Sequence, residues 1–145
     1  MALSLVAPQS SYSPSPLVDL TDLAERKRLS DSAVRAFFNI MEKWGIADAK
    51  AKILLGGISN GAFYTLKKGQ GAVLDEDRIR RISYLVGIFK ALNILYSEEL
   101  ADKWPTLPNK NRIFGGHAAI DYMLRGGLPA FQTVRRLLDA RRGGR

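Results

Sequence analysis

A-K-I-L-L-G-G-I-S-N-G-A-F-Y-T-L-K-K-G, residues Ala51 to Gly69, sets two apolar helical segments on either side of a doubled glycine. A helix-turn-helix needs glycine to reverse the chain within a few residues and an apolar residue just after it to lock the helices together. It also needs a polar start to the second helix, where base edges are met. Gly56-Gly57, Ile58 and Ser59-Asn60 fill these places. In that arrangement Ser59 and Asn60 sit where a groove is entered, Asn60 and Thr65 are placed to read base edges, and Tyr64, Lys67 and Lys68 are placed to contact phosphates. The doubled glycine departs by one residue from the common spacing of the motif. The same residues also suit a plainer reading, in which Gly56-Gly57 ends one helix and Ser59 only caps the next.

Upstream, Ser30 is a suitable cap, and Ala33, Val34, Phe37, Phe38, Met41 and Trp44 recur at helical spacing until Gly45. A further helix is expected from Ala47 to Leu55, with Lys50 and Lys52 toward solvent. Before all of these, residues 7–16 read A-P-Q-S-S-Y-S-P-S-P, too poor in apolar side chains to offset the entropy of ordering. Residues 1–29 are therefore expected to form a mobile arm and residues 30–74 the helix-turn-helix unit. Downstream, Asp75 caps a helix whose Glu76 and Asp77 favour the positive end of its dipole. Its wide apolar stripe is Ile79, Ile82, Leu85, Val86, Phe89, Leu92 and Leu95. Such a helix is too apolar to stand alone, so residues 75–104 are expected to join the halves of the chain and to serve a homodimer interface or a second core. Residues 105–145 follow as a loop, a short helix bracketed by Gly115-Gly116 and Gly126-Gly127, a last helix starting at Pro129, and a basic tail. No segment alternates with a strand's period, and the expected class is all-α.

The 145 residues carry 22 Lys and Arg against 14 Asp and Glu, a formal charge of +8 that favours polyanions or an acidic protein surface, nucleic acid first. With no Cys and a single His, neither a disulfide framework nor a thiolate or imidazole metal site is expected, and no cofactor. Ala2 to Ala7 lacks the basic flank of a signal peptide, and Ile79 to Tyr96 is broken by Arg80, Arg81, Ser83, Lys90 and Asn93, so a cytoplasmic chain with no membrane partner is expected. Enzymatic motifs fail on inspection. Gly56 and Gly61 have the opening spacing of a P-loop, but Ala62-Phe63 replaces its Lys and Ser/Thr; His117 has no second His or Cys to work with.

The segment Asn111 to Arg142, N-R-I-F-G-G-H-A-A-I-D-Y-M-L-R-G-G-L-P-A-F-Q-T-V-R-R-L-L-D-A-R-R, describes by itself a compact helical hairpin, and its arginines suit a solvated face. Here the chain resembles the Xre/MbcA/ParS antitoxins. Their C-terminal toxin-binding domain has a pattern like N-P-x-L-G-G-R-T-P-L-x-L-L-x-x-G followed by a helix ending V-x-x-L-L. Asn111, Phe114, Gly115, Gly116, His117, Ile120, Met123, Leu124, Gly126, Val134, Leu137 and Leu138 carry the likeness, and Trp44-Gly45 with Leu54-Leu55-Gly56 extend it upstream. His117-Ala118-Ala119 stands where many members have a basic residue, Ser/Thr and Pro. The resemblance implies an Xre-like helix-turn-helix joined by a long helix to a small toxin-binding domain. It implies a RES-domain, NAD-degrading toxin as partner, whose active-site mouth the antitoxin covers, and operator DNA bound by paired heads of a homodimer. The toxin contact is expected at Leu128, Phe131, Arg135, Arg136, Arg142 and Arg145. The rival reading is a free-standing helix-turn-helix regulator whose C-terminal half dimerises or senses a ligand.

Overall fold

The computed structural model describes residues 19–71 and 73–143, and among these the chain forms seven α-helices and two 3-10 turns with no strand beyond an isolated bridge between Pro108 and Ala118. The stretch of the expected arm up to residue 18 lies outside the described residues, as do Gly144 and Arg145.

Helix α1 (Leu23–Trp44) begins earlier than the apolar spacing predicts. Asp22 caps it, its carboxylate accepting from the Ala24 amide at 2.9 Å, and Glu25 pairs with Arg28 at 2.7 Å in the added turns. Residues 23–29 are thus helix rather than arm, because Ala, Glu, Lys, Arg and Leu favour helix even where no apolar stripe marks it. Ser30 is correspondingly not a cap. It is a buried interior residue whose hydroxyl donates to the Arg26 carbonyl at 2.5 Å and accepts from the Leu74 amide at 2.9 Å, tying α1 to the segment just before Asp75. Gly45, in the left-handed region at φ 69°, ends the helix, and the Ile46 amide closes back on Met41 at 2.9 Å.

Helices α2 (Asp48–Leu54) and α3 (Asn60–Lys67) follow, then α4 (Glu76–Leu95), capped by Asp75 through the Arg78 amide at 3.1 Å. α5 (Glu98–Lys103) runs into the turn Trp104–Thr106, and a second turn, Arg112–Phe114, precedes α6 (Ala119–Gly126) and α7 (Leu128–Arg142). Between the last two helices Gly127 adopts φ 66°, ψ −150°, a conformation essentially restricted to glycine, which lets the hairpin reverse with no intervening loop.

Helix α4 packs against both α1 and α7, which bury Ile79, Ile82, Leu85 and Leu92 of its apolar stripe and leave Val86, Phe89 and Leu95 half-buried. Leu85, Ile88 and Leu92 are fully buried, each contributing about 1.5–3 kcal/mol of transfer free energy. At Gly87 the helix has no side chain, and the Arg135 guanidinium of α7 fills the space: a Cβ built there would lie 1.6 Å from Nη1. The buried side chains form one continuous cluster, from Phe37 and Trp44 of α1 through Phe63 of α3 and Leu85 of α4 to Phe131 and Leu138 of α7.

Candidate functional site

Two surfaces carry the residues singled out above. The first is the α2–α3 pair. Its connection needs both glycines, since Gly56 and Gly57 have φ of 92° and 83°, and their amides close the end of α2 on the Ile53 and Lys52 carbonyls, each at 2.9 Å. Ser59 accepts from the Ala62 amide at 3.3 Å as the cap of α3. Ala51, Leu54, Leu55, Phe63 and Leu66 point into the core, which leaves Asn60, Tyr64, Thr65, Lys67 and Lys68 exposed.

Exposure does not leave these side chains unengaged. Lys67 Nζ donates to Asp48 at 2.9 Å and the Tyr64 hydroxyl donates to the same carboxylate at 3.3 Å, while Lys52 of α2 donates to the Asn60 carbonyl oxygen and stands 5.6 Å from the centres of the Phe63 and Tyr64 rings. The Thr65 hydroxyl donates back to the Gly61 carbonyl at 2.9 Å. Asp48 therefore organises the exposed face of α3 from the neighbouring helix. The Lys67 ammonium, as hydrogen-bond donor first, holds its carboxyl below the ordinary value of 3.8. Sequence reasoning missed Asp48: it is 19 residues from Lys67, and an acid in the first turn of a helix is already explained by the helix dipole.

Arg81 joins this unit to the rest. From α4 its Nε donates to Asp77 at 2.8 Å and its Nη1 to the Leu54 carbonyl at 3.4 Å, and its guanidinium stands 5.8 Å from the centre of the Phe131 ring of α7. The end of α2, the start of α4 and the first turn of α7 thus meet on one side chain.

The second surface is the C-terminal hairpin. Phe131, expected as an apolar contact for a partner, is 0% exposed; the face of α7 that carries it, with Val134 and Leu138, turns onto the core. That expectation is corrected, because the apolar period that marked the residue as useful is the one that buries it. Leu128 is half-buried against the same core. Arg135 lies over Gly87 and donates through Nε to Asp139 at 3.0 Å, and Arg142 reaches the same carboxylate at 3.6 Å. Arg136 is exposed and forms no ion pair among the described residues, and Arg145 lies outside them. Arg141, which the sequence did not single out, donates to the Tyr96 hydroxyl at 3.0 Å.

Between α5 and α6 the chain forms a closed loop. The Asn109 amide donates to the His117 carbonyl at 3.1 Å beside the Pro108–Ala118 bridge. Asn109 and Asn111 each accept a backbone amide two residues on, at 2.9 and 3.1 Å. Phe114 anchors the loop, 2% exposed, with the Trp104 and Tyr122 rings edge-on at 6.2 and 5.4 Å.

A cleft of about 720 Å³ opens between α1 and α4, lined by Leu20, Leu29, Ala33, Ile79, Ile82 and Val86 among others, with Arg80 and Lys90 as its charged members and no carboxylate or imidazole. Among the described residues no group of three or more His, Cys, Asp or Glu is placed to hold a metal ion, and no helix is long and apolar enough to cross a membrane.

These features define an all-helical chain with a cationic, helix-built surface at its C-terminal end. Residues 90–144 match the family model described as the antitoxin Xre/MbcA/ParS C-terminal toxin-binding domain. The chain is also 42% identical over 122 residues to the uncharacterized protein y4oB of Sinorhizobium fredii (strain NBRC 101917 / NGR234), an alignment covering 79% of this chain and 92% of that protein. No solved structure gives a significant match. The chain belongs to one family with y4oB, and its C-terminal part, residues 90–144, is similar to the toxin-binding domain of the Xre/MbcA/ParS antitoxins. The match begins at Lys90, inside α4, in keeping with the packing of that helix on α7.

Proposed function

We propose that this chain is the antitoxin of a two-gene type II module, that it neutralises a RES-domain, NAD-degrading toxin by covering the mouth of its active site, and that it represses its own operon. The observation that carries the antitoxin part is the toxin-binding domain at residues 90–144, built on α4 to α7. The RES identity rests on the resemblance of the segment Asn111 to Leu138 to antitoxins of such modules. In this scheme residues 30–74 are the DNA-binding unit, residues 75–104 connect and dimerise, residues 105–145 meet the toxin, and the protein works in the cytoplasm without a cofactor.

DNA binding is supported by the +8 charge and by the exposed polar face of α3, where Ser59, Asn60, Tyr64, Thr65, Lys67 and Lys68 remain the residues assigned to the groove and its phosphates. A homodimer presents two such helices to an inverted repeat. On the toxin side Leu128, Arg135, Arg136, Arg142 and Arg145 stay assigned as contacts, Arg136 being the exposed arginine of α7 that no carboxylate holds among the described residues.

Co-expression with the adjacent gene tests the reading. Growth and cellular NAD should be preserved when both genes are present and lost with the neighbour alone. A harmless neighbour, or toxicity unrelieved by this chain, refutes it.

The Asp48 tie yields a separate expected result. Asp48→Asn removes a carboxylate from beside the exposed face of α3 and frees Lys67 for a phosphate. Operator binding should tighten, and the slope of log affinity against log salt should steepen by about 0.9. An unchanged slope by fluorescence anisotropy would place Lys67 away from the backbone. Because the Asp48 carboxyl is held below its ordinary value, the tie contributes above 3.8 and is lost only as pH falls through the lowered value. Binding between pH 6 and 8 should therefore owe no pH dependence to this pair.

A further inference from the structure

We infer that the closed loop between α5 and α6, residues 107–118, is the principal apolar contact for the toxin, with Leu107 and Ile113 entering an apolar recess whose rim carries carboxylates. The inference rests on the antitoxin reading above and moves the centre of the contact away from α7.

Helix α7 offers little apolar surface, since Ala130, Phe131, Val134 and Leu138 are buried in the chain's own core and Leu128 and Leu137 are half-buried against it. Interfaces depend on a few large side chains seated in pockets, and truncating such a residue removes most of the affinity it anchors. On the loop, Leu107 and Ile113 are 42% and 40% exposed, two branched aliphatic side chains left partly uncovered in a segment otherwise firmly held.

Rigidity is the second observation. The bridge at Pro108 and Ala118, the two asparagine turns and the buried Phe114 fix the backbone on both sides of the exposed pair. Gly115 and Gly116, at φ of 58° and 87°, complete the reversal that a side chain would strain. A loop already held in one conformation loses little entropy on docking, which raises affinity for a given contact area.

Charge identifies the partner. From Lys103 to Ile120 the sequence contains no Asp or Glu, and Lys110 and Arg112 are both exposed without an ion pair among the described residues. An acidic rim around an apolar recess complements this surface; exposed leucine and isoleucine do not suit a nucleic-acid backbone.

The test uses the full-length chain and the polypeptide encoded by the adjacent frame, with affinity measured for wild type, Leu107→Asp with Ile113→Asp, Lys110→Glu with Arg112→Glu, and Arg136→Ala. Each aspartate should weaken the complex about 30-fold. The charge reversal should slow association and flatten its salt dependence, and Arg136→Ala should change affinity less than either. Both aspartates replace exposed side chains, so the melting temperature should hold. If the aspartate variant does not fold, the glutamate pair decides the matter through its association rate, an unchanged rate overturning the assignment. Unchanged affinity in a folded aspartate variant, or a loss confined to Arg136→Ala, overturns the assignment and leaves the antitoxin reading standing. Loss of operator binding with toxin binding intact would make the loop a nucleic-acid contact and overturn it too. A wild-type chain that fails to bind the neighbour's product overturns the antitoxin reading, and the loop assignment with it.

Discussion

Phe131→Ala is expected to lower folding stability by about 3–5 kcal/mol, out of a total that for domains of this kind is about 5–15 kcal/mol. The ring is wholly buried in the first turn of α7, its helix packs along α4, and the Arg81 guanidinium stands 5.8 Å from the ring centre. Alanine would remove the ring and leave a cavity that the neighbours fill only in part, because α4 is itself held by α1 on another side. Urea denaturation should show the midpoint falling sharply with the slope preserved. Toxin neutralisation should then decline with the folded fraction and no further. A variant that keeps its urea midpoint while losing toxin affinity would show that the ring turns outward in the complex, and its placement in the core would be wrong for the working state.

Phe63→Ala, in α3, should have an effect of similar size, about 3–5 kcal/mol. Phe63 is also 0% exposed, and its ring meets those of Phe38 at 5.3 Å and Tyr64 at 5.3 Å, while Lys52 stands 5.6 Å from its centre. The loss would release α3 from α1 and with it the alignment of Asn60, Tyr64 and Lys67 toward α2. Because the buried side chains form one cluster with α4 common to both halves, the destabilised chain should still unfold in a single transition that brings the C-terminal hairpin down with the α2–α3 pair. Two separate transitions by circular dichroism and by tryptophan fluorescence would mean that α4 does not couple the halves energetically. Operator affinity should fall with the same temperature dependence as the folded fraction.

Those two expectations depend on features of different legibility. The helical spacing of Phe37, Met41 and Trp44, the doubled glycines, and the caps at Ser59 and Asp75 are all readable along the chain, and α2 to α7 lie close to where they place them. Residues 23–29 escape a reading by apolar spacing because a charged helical turn has no stripe to announce it; its evidence is propensity and the Glu25–Arg28 pair. Phe131 misleads for the opposite reason, since an apolar residue at helical spacing looks alike whether it meets a partner or the chain's own core.

Class, charge and the order of helices are local properties. They follow from which side chains recur every three or four positions, which residues cap, and where glycine permits a positive φ, all of which act within a few residues. Assignment of partners is not local. That Asp48 holds Lys67, that Arg81 spans α2, α4 and α7, that Arg135 lies over Gly87, and that Leu107 and Ile113 remain uncovered while Phe131 is enclosed all arise when the helices pack. Contacts between residues far apart in the chain depend on which faces the core leaves over, and only the folded molecule makes that choice.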